Sequence, residues 1–353
     1  MPEEFAPHFA ATGIGSLPHL DPVQAVHDVL ERLVEMPYWP QLPRRSPLED
    51  MNLQYAAALS PLVRADAAQR QALAHPGQTR EEALAGLYER LMGGELLGFG
   101  LHPEEAAGFY EFLEVVSAAN PESFPWVKGH VTGPLTQCAA VMGADGKALL
   151  YDDELAEAVA RGLGAAGAAQ VEQLAPLGRR VLLFVDEPFL SGYGSAFTPV
   201  NHDQVLTLLR ATLEELRSRA PGVVVGVHCC GNTEWSLLIE ADFDVINLDS
   251  AGYGQGILLY PDAVRELLER GGAVAWGAVP ASEFTGQETA QGLWHDLRGL
   301  LEALEGKGIA REVLARQSLV TPACGLGSLN QEKALRILGL TAAVSRLARE
   351  EYA

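Results

Sequence analysis

Cysteine is scarce in this chain: four occur in 353 residues, at positions 138, 229, 230 and 324. That excludes a disulfide-built scaffold and leaves metal binding or burial as the uses of a thiol in a reducing compartment. Basic residues are few as well. With 25 Lys+Arg against 46 Asp+Glu and a formal net charge of -21, the chain repels phosphate backbones and anionic lipid, so no nucleic acid and no membrane surface is expected as a partner. No apolar run reaches the roughly 18 residues of a membrane span, and the start Met1-Pro-Glu-Glu-Phe5 has neither the basic region nor the apolar core of a signal peptide. A cytoplasmic location is the expectation. Also missing is the third glycine of a dinucleotide-binding turn, because Gly13-Ile-Gly15 is not followed by one at the required position. An open doubly wound sheet therefore lacks its usual signature.

What the sequence does have is alternation. Strand-like runs at 126–131, 181–185, 223–229, 244–249, 273–276 and 318–321 are separated by helical patterns at about 152–176, 202–219, 232–241, 261–270 and 288–306, with a last one at 331–350. Two shorter runs precede them, at 11–18 and at Met36-Pro-Tyr-Trp39, the second weakened by its prolines. A helix capped by Asp21, with Pro22 at its first position, lies between these two. Eight strands, each followed by helical sequence, predict a single-domain α/β protein over 1–353: a closed (β/α)8 TIM barrel. Residues from about 42 to 120 interrupt the rhythm and read as a helical insertion after the second strand. Helices are expected around 79–97, where Thr79 and Glu82 make a capping box, and around 104–118.

Chemistry in such a barrel sits at the carboxyl ends of the strands. There this sequence places Ser16, Thr132, Asp186, Glu187, His228, Cys230, Asp249 and Cys324. The stretch Val223-Val-Val-Gly-Val-His-Cys-Cys-Gly231 feeds a buried strand into two soft metal ligands two residues apart, so His228 and Cys230 share a face and Cys229 takes the other. Alone, a His-x-Cys is more often a core histidine beside a core thiol. Asp249 and Cys324, each just past a strand, offer the two further ligands that a tetrahedral zinc ion requires. Asp186-Glu-Pro188 could equally be a turn cap, Ser16 a turn residue and Thr132-Gly-Pro134 a plain strand end. Cys138 reads as a buried core thiol, and His19 and His130 lie near the mouth without an assigned role.

In order along the chain, Ile14-Gly-Ser-Leu-Pro18, Thr132-Gly-Pro134, Val185-Asp-Glu-Pro188, His228-x-Cys230, Asp244-Val-Ile-Asn-Leu-Asp249 and Pro322-Ala-Cys-Gly-Leu326 resemble the catalytic half of cobalamin-independent methionine synthase. That family sits within the wider barrel group of uroporphyrinogen decarboxylase and corrinoid-linked methyltransferases. The resemblance implies a zinc site of His228, Cys230 and Cys324. It also implies that Asp186 and the Ser16 turn, with Thr132 and Glu187 nearby, hold an amino-acid thiol such as homocysteine. Three departures stand out. The family's third ligand is a glutamate where this chain has Asp249, the duplicated N-terminal half is missing, and the proton-donating histidine after the seventh strand has no counterpart. The segment Gly277-Ala-Val-Pro-Ala-Ser-Glu-Phe284 offers Glu283 in its place.

The function expected from this resemblance is zinc-dependent methyl transfer to a thiol. The donor would be a methyl-corrinoid, free or on a carrier protein, or a methyl-folate. Two rivals are of other classes. A uroporphyrinogen-type decarboxylase would need arginines near the first strand, where Arg44 and Arg45 are the only nearby pair. A barrel that keeps its ligands but lacks the acid could instead be a zinc- or thiol-binding protein.

Overall fold

The computed structural model describes residues 5–195, 198 and 200–352. Among these, nine strands occur: β1 (Ala10–Ala11), β2 (Val63–Asp66), β3 (Gln71–Ala74), β4 (Trp126–Thr132), β5 (Arg180–Asp186), β6 (Val224–Cys229), β7 (Val245–Leu248), β8 (Ala273–Val279) and β9 (Ser318–Pro322). Seven form one parallel sheet in the order β1-β9-β8-β7-β6-β5-β4, so from β4 onward every strand pairs with the next one in sequence. The chain then returns to its own start through β1 and β9. Helices fill the connections, as the hydrophobic periodicity predicts. His202–Arg219 begins at an Asn201 cap that accepts from Gln204 N at 2.9 Å, and it buries Val205, Leu209, Leu213 and Leu216.

Side-chain alternation divides the core in two. Leu182, Phe184, Val224, Val245, Ala275 and Leu319 form a cluster that no helix residue joins. Their neighbours Leu183, Val185, Val225, Val227, Ile246 and Val320 pack with the helices. The first set fills the inside of a curled sheet. The interior face of β4 continues this lining with Lys128, His130 and Thr132, all buried.

Two expectations need correction. Met36–Trp39 does not form a regular strand, and the hydrogen-bond ladder comprises seven parallel strands rather than eight among the described residues. Pro37 and Pro40 have no N–H to donate, so this segment makes only isolated parallel bridges, Tyr38 to Lys128 on one side and Gln41 to Ser16 on the other. These rest on Lys128 N to Pro37 O at 2.9 Å, Leu17 N to Gln41 O at 2.8 Å and Gln41 N to Gly15 O at 3.0 Å. The run at 11–18 likewise keeps a regular ladder only at β1.

The insertion at about 42–120 is not purely helical. Its helices Arg80–Met92 and Ala107–Ala118 form close to where the patterns put them, and the Thr79/Glu82 capping box closes in both directions. Between them and the barrel start lies an antiparallel hairpin of β2 and β3. Its strands carry Arg64, Asp66 and Gln71, which give no β-branched alternation, and Arg70 takes φ 51° in the turn. The insertion reaches the sheet's carboxyl end: Thr132 Oγ1 donates to Met51 O at 2.6 Å and Gln137 Nε2 to Asn52 O at 2.9 Å. No helix among the described residues is long and apolar enough to cross a membrane.

Candidate metal centre and its cavity

One layer of the sheet carries the site. Thr132 is the register partner of Asp186, Asp186 of His228, and His228 of Asn247, so four polar residues stand side by side at the carboxyl end of β4 to β7. Two loop cysteines complete it, Cys230 one residue past β6 and Cys324 two past β9. One ligand atom from each of His228, Cys230 and Cys324 lies within 4.8 Å of the others. Zinc–sulfur bonds of about 2.3 Å at a tetrahedral angle put two sulfurs roughly 3.8 Å apart, so this trio fits a zinc ion with small rotamer adjustments.

The histidine is prepared for such a role by what lies behind it. Asn247, fully buried, donates its amide hydrogens to Ala275 O and to Thr321 Oγ1, each at 2.9 Å. A backbone carbonyl can only accept, so the amide orientation is fixed and Asn247 Oδ1 must face His228 Nδ1. The proton is thereby held on Nδ1, and Nε2 is left toward the cysteines. Burial works against a charge on His228, but the hydrogen bond to Cys230 and the nearby Asp186 carboxylate raise its pKa above the ordinary value. The Cys230 thiol is pulled far below the usual thiol range by hydrogen bonds from Cys324 and His228. Cys324 moves the other way, because it shares its proton with Cys230. Those hydrogen bonds favour the thiolate form of Cys230, the form that binds metal.

Asp186 faces the same space. Burial lifts its carboxyl to about 6 against the opposing pull of His228 and Lys128, and its Oδ1 has no hydrogen-bond partner. Ser16 completes the near wall. Its Oγ accepts from Gly327 N at 3.1 Å and its carbonyl from Leu326 N at 2.9 Å, which ties the first-strand turn to the Cys324 loop. Around these groups is a cavity of about 260 Å³, lined also by Met51, Thr132 and His130. That is smaller than the roughly 300–1,000 Å³ of drug-sized sites, so it suits a small metabolite and keeps any bulky second substrate at the mouth.

Several expected site residues are used otherwise. Glu187 does not face the cavity. It is fully buried beneath the helix Pro134–Ala140 and accepts from Leu135 N at 2.8 Å, Thr136 N at 2.9 Å and Thr136 Oγ1 at 2.6 Å. Gly133 permits this approach, since a Cβ there would lie 2.2 Å from the Glu187 carboxyl carbon. The alternation signal that put Glu187 at a strand end was right about place and silent about direction, because it is the neighbour of inward-facing Asp186. Glu187→Gln is therefore expected to destabilise the fold by about 1.5–3 kcal/mol in chemical denaturation, the usual worth of hydrogen bonds to a charged group. Unchanged stability with weakened ligand binding would restore it to the substrate site.

Asp249 stays outside the trio. Its Oδ1 accepts from Gly252 N at 2.7 Å as the cap of Ser250–Tyr253, and one fewer methylene than glutamate keeps the carboxylate on its own loop. Glu283 is exposed beyond β8 and does not line the cavity, so the acid role expected of it has no geometric support. Thr132 lines the cavity, but its hydroxyl hydrogen is committed to Met51. Cys229 is buried on the helix-packed face of the sheet and Cys138 within the helix Pro134–Ala140, as expected of core thiols, with burial pushing the Cys229 thiol up to about 12. Arg44 donates to Ser328 O at 2.6 Å and Arg45 pairs with Glu49 at 2.6 Å. Neither lines the cavity, which removes the carboxylate grip a decarboxylase would need. Asn247 and His130 are the residues that strand-end reasoning passed over. A polar residue at an inward position of a buried strand was the available signal for both.

No family model and no curated protein sequence matches the chain. Among solved structures it is similar to a B12-independent methionine synthase from Shewanella sp. W3-18-1 in complex with selenomethionine, 19% identical, covering 68% of this chain and 67% of that one, with a TM-score of 0.48. It is also similar to 2,3-dimethylmalate lyase, a PEP mutase/isocitrate lyase superfamily member, at 13% identity over 69% of this chain and 98% of that one, with a TM-score of 0.26. Neither likeness assigns a role to any residue of the site.

Proposed function

We propose that this chain is a zinc-dependent methyltransferase that acts on a thiol such as homocysteine, with a methyl-corrinoid or a methyl-folate as donor. The observation that carries the proposal is the convergence of His228, Cys230 and Cys324 within 4.8 Å at the floor of a small cavity. The six ordered motifs support the same reading. On it, the bridges of residues 37–41 mark the eighth position of a single (β/α)8 barrel.

Zinc bound there would supply a Lewis acid that lowers the pKa of an incoming thiol, so that a thiolate is present at neutral pH. The chain's own residues do the rest. Asn247 fixes the ring of His228 and its tautomer. Asp186, which lines the cavity, takes the ammonium of an amino-acid thiol, and Ser16 closes the wall beside it. The cavity is of a size for the acceptor alone, and the methyl donor must reach its sulfur in line.

Purified protein is expected to hold one zinc ion per chain, and the zinc-edge absorption spectrum should gain a sulfur neighbour on addition of homocysteine. Asn247→Leu should weaken zinc binding by about 10–100-fold, the usual effect of removing the group that orients a metal-ligating histidine. A spectrum unchanged by homocysteine would refute thiol activation at this centre.

A further inference from the structure

The cysteines of this chain fall into two classes. Cys138 and Cys229 are fully buried, the second with its Sγ turned onto Gly231 O at 3.7 Å. Cys230 and Cys324 are part-exposed and both line the cavity, so a small molecule entering it reaches those two thiols and not the others. Their Sγ atoms lie within 4.8 Å of each other. A disulfide requires about 2.05 Å, and turning the two side chains between staggered rotamers covers the difference.

The loops that carry the pair are held by the protein's own contacts. Each cysteine is followed by a glycine packed too closely on a neighbouring loop to bear a side chain. A Cβ on Gly231 would lie 2.4 Å from Ser191 Cβ, and one on Gly325 would lie 2.4 Å from Ser16 Oγ. Leu326 N donates to Ser16 O at 2.9 Å and Gly327 N to Ser16 Oγ at 3.1 Å, which fixes the Cys324 loop against the first-strand turn. The two sulfurs therefore face each other because of the fold. Cys229, although adjacent to Cys230 in sequence, takes the opposite face of the strand, and a bond between neighbours would be strained.

We propose that Cys230 and Cys324 are a reversible redox pair that governs metal binding: a peroxide entering the cavity joins them as a disulfide, and the centre then cannot hold zinc. The proposal rests on the zinc-site reading above and adds its regulation. Peroxide gives one oxygen to one sulfur, which becomes a sulfenic acid while the first water leaves. The other thiol attacks that sulfur, the S–S bond forms, and the oxygen departs as the second water. Two thiols and one hydrogen peroxide thus yield one disulfide and two waters, the sulfurs losing the two electrons that the peroxide gains. A disulfide offers no thiolate to a metal. No other side chain takes over, since Asp249 Oδ1 is committed to Gly252 N at 2.7 Å and Cys229 faces the helices, so His228 alone would remain. A dithiol reverses the bond by exchange.

Hydrogen peroxide added stepwise to the reduced full chain, with and without prior treatment with a zinc chelator, tests the pair. Free thiols should fall from four to two per chain and stop there, and peptide mapping by mass spectrometry should find Cys230 joined to Cys324. Zinc affinity, read against a chromogenic chelator, should fall by about 10⁴-fold or more, the loss of two ligands at once. Dithiothreitol should restore both thiols and affinity. Cys138→Ala and Cys229→Ala should form the same cross-link, whereas Cys324→Ser should leave Cys230 to proceed to a sulfinic acid that dithiothreitol does not reduce. The mapping on the wild type depends on no variant folding. A link between Cys229 and Cys230, a sulfinic acid at Cys230 of the wild type without a cross-link, or unchanged zinc affinity in the cross-linked chain overturns the proposal. The two readings fail separately: a cross-link in a chain that binds no zinc when reduced sinks the zinc site, and zinc binding with all four thiols intact after peroxide in both arms sinks the redox pair.

Discussion

Cys324→Ala is expected to lower zinc affinity by about 10²–10³-fold and to abolish methyl transfer to homocysteine. Structural zinc sites bind with roughly 10–16 kcal/mol over four ligands, or about 2.5–4 kcal/mol each, which sets this scale. The loss should be steep because the remaining His228 and Cys230 cannot close a tetrahedron, and Asp249, committed to Gly252 N, is not placed to substitute. Cys230→Ala should behave the same way. Cys138→Ala is the control: that thiol is buried against the outer helices, so its loss should cost stability and leave zinc affinity unchanged. A competition titration against a chromogenic chelator, run beside a turnover assay, reads both quantities. Zinc affinity retained in Cys324→Ala would dismantle the proposed centre.

The second large effect concerns the donor. Transfer forms a sulfur–methyl bond and breaks the bond from the methyl to its donor. With a methyl-corrinoid, cobalt leaves with the electron pair and no proton is required. With a methyl-folate, the ring nitrogen leaves well only after it is protonated, and general acid catalysis typically supplies about 10²–10⁴ in rate. Glu283, the one acidic residue in the segment that should carry the acid, is exposed and outside the cavity. Methyl transfer from methylcobalamin should therefore exceed transfer from methyl-folate by about 10²-fold or more at every pH. Glu283→Gln should leave both rates unchanged within about 2-fold. Efficient folate turnover that disappears in Glu283→Gln would show that this carboxyl reaches the donor at the mouth. Absence of turnover with either donor would favour a zinc- or thiol-binding protein.

Much of the scaffold was legible because its signals are local. The run Val223–Val227 is apolar without interruption, as a parallel strand buried on both faces must be. Asn201, Thr79 and Asp21 each cap the helix that follows, because a side-chain acceptor before a helix satisfies its first N–H groups wherever the helix lies in the fold. The hairpin of β2 and β3 was missed for the complementary reason. Its strands are defined by pairing with each other and not by composition, so Arg64 and Gln71 gave no sign of it.

At the site, spacing alone placed His228 and Cys230 on one face, and the alternation of strands brought Cys324 to the same end of the sheet. These are properties of period and order, which a sequence contains. Whether Asp249, Glu187 or Glu283 points at the same spot depends on which backbone N–H each carboxylate meets, on Gly133 making room beneath one helix, and on how far a loop carries its residue past the strand. Those are contacts between segments distant along the chain. The sequence by itself determined the layered α/β scaffold and the pair of soft ligands at its carboxyl end. Only the tertiary structure decided that Asn247 holds the proton of His228, that Glu187 serves a helix instead of a ligand, and that both ring nitrogens of His130 are buried without a hydrogen-bond partner, because hydrogen-bond satisfaction is settled by three-dimensional proximity and not by spacing.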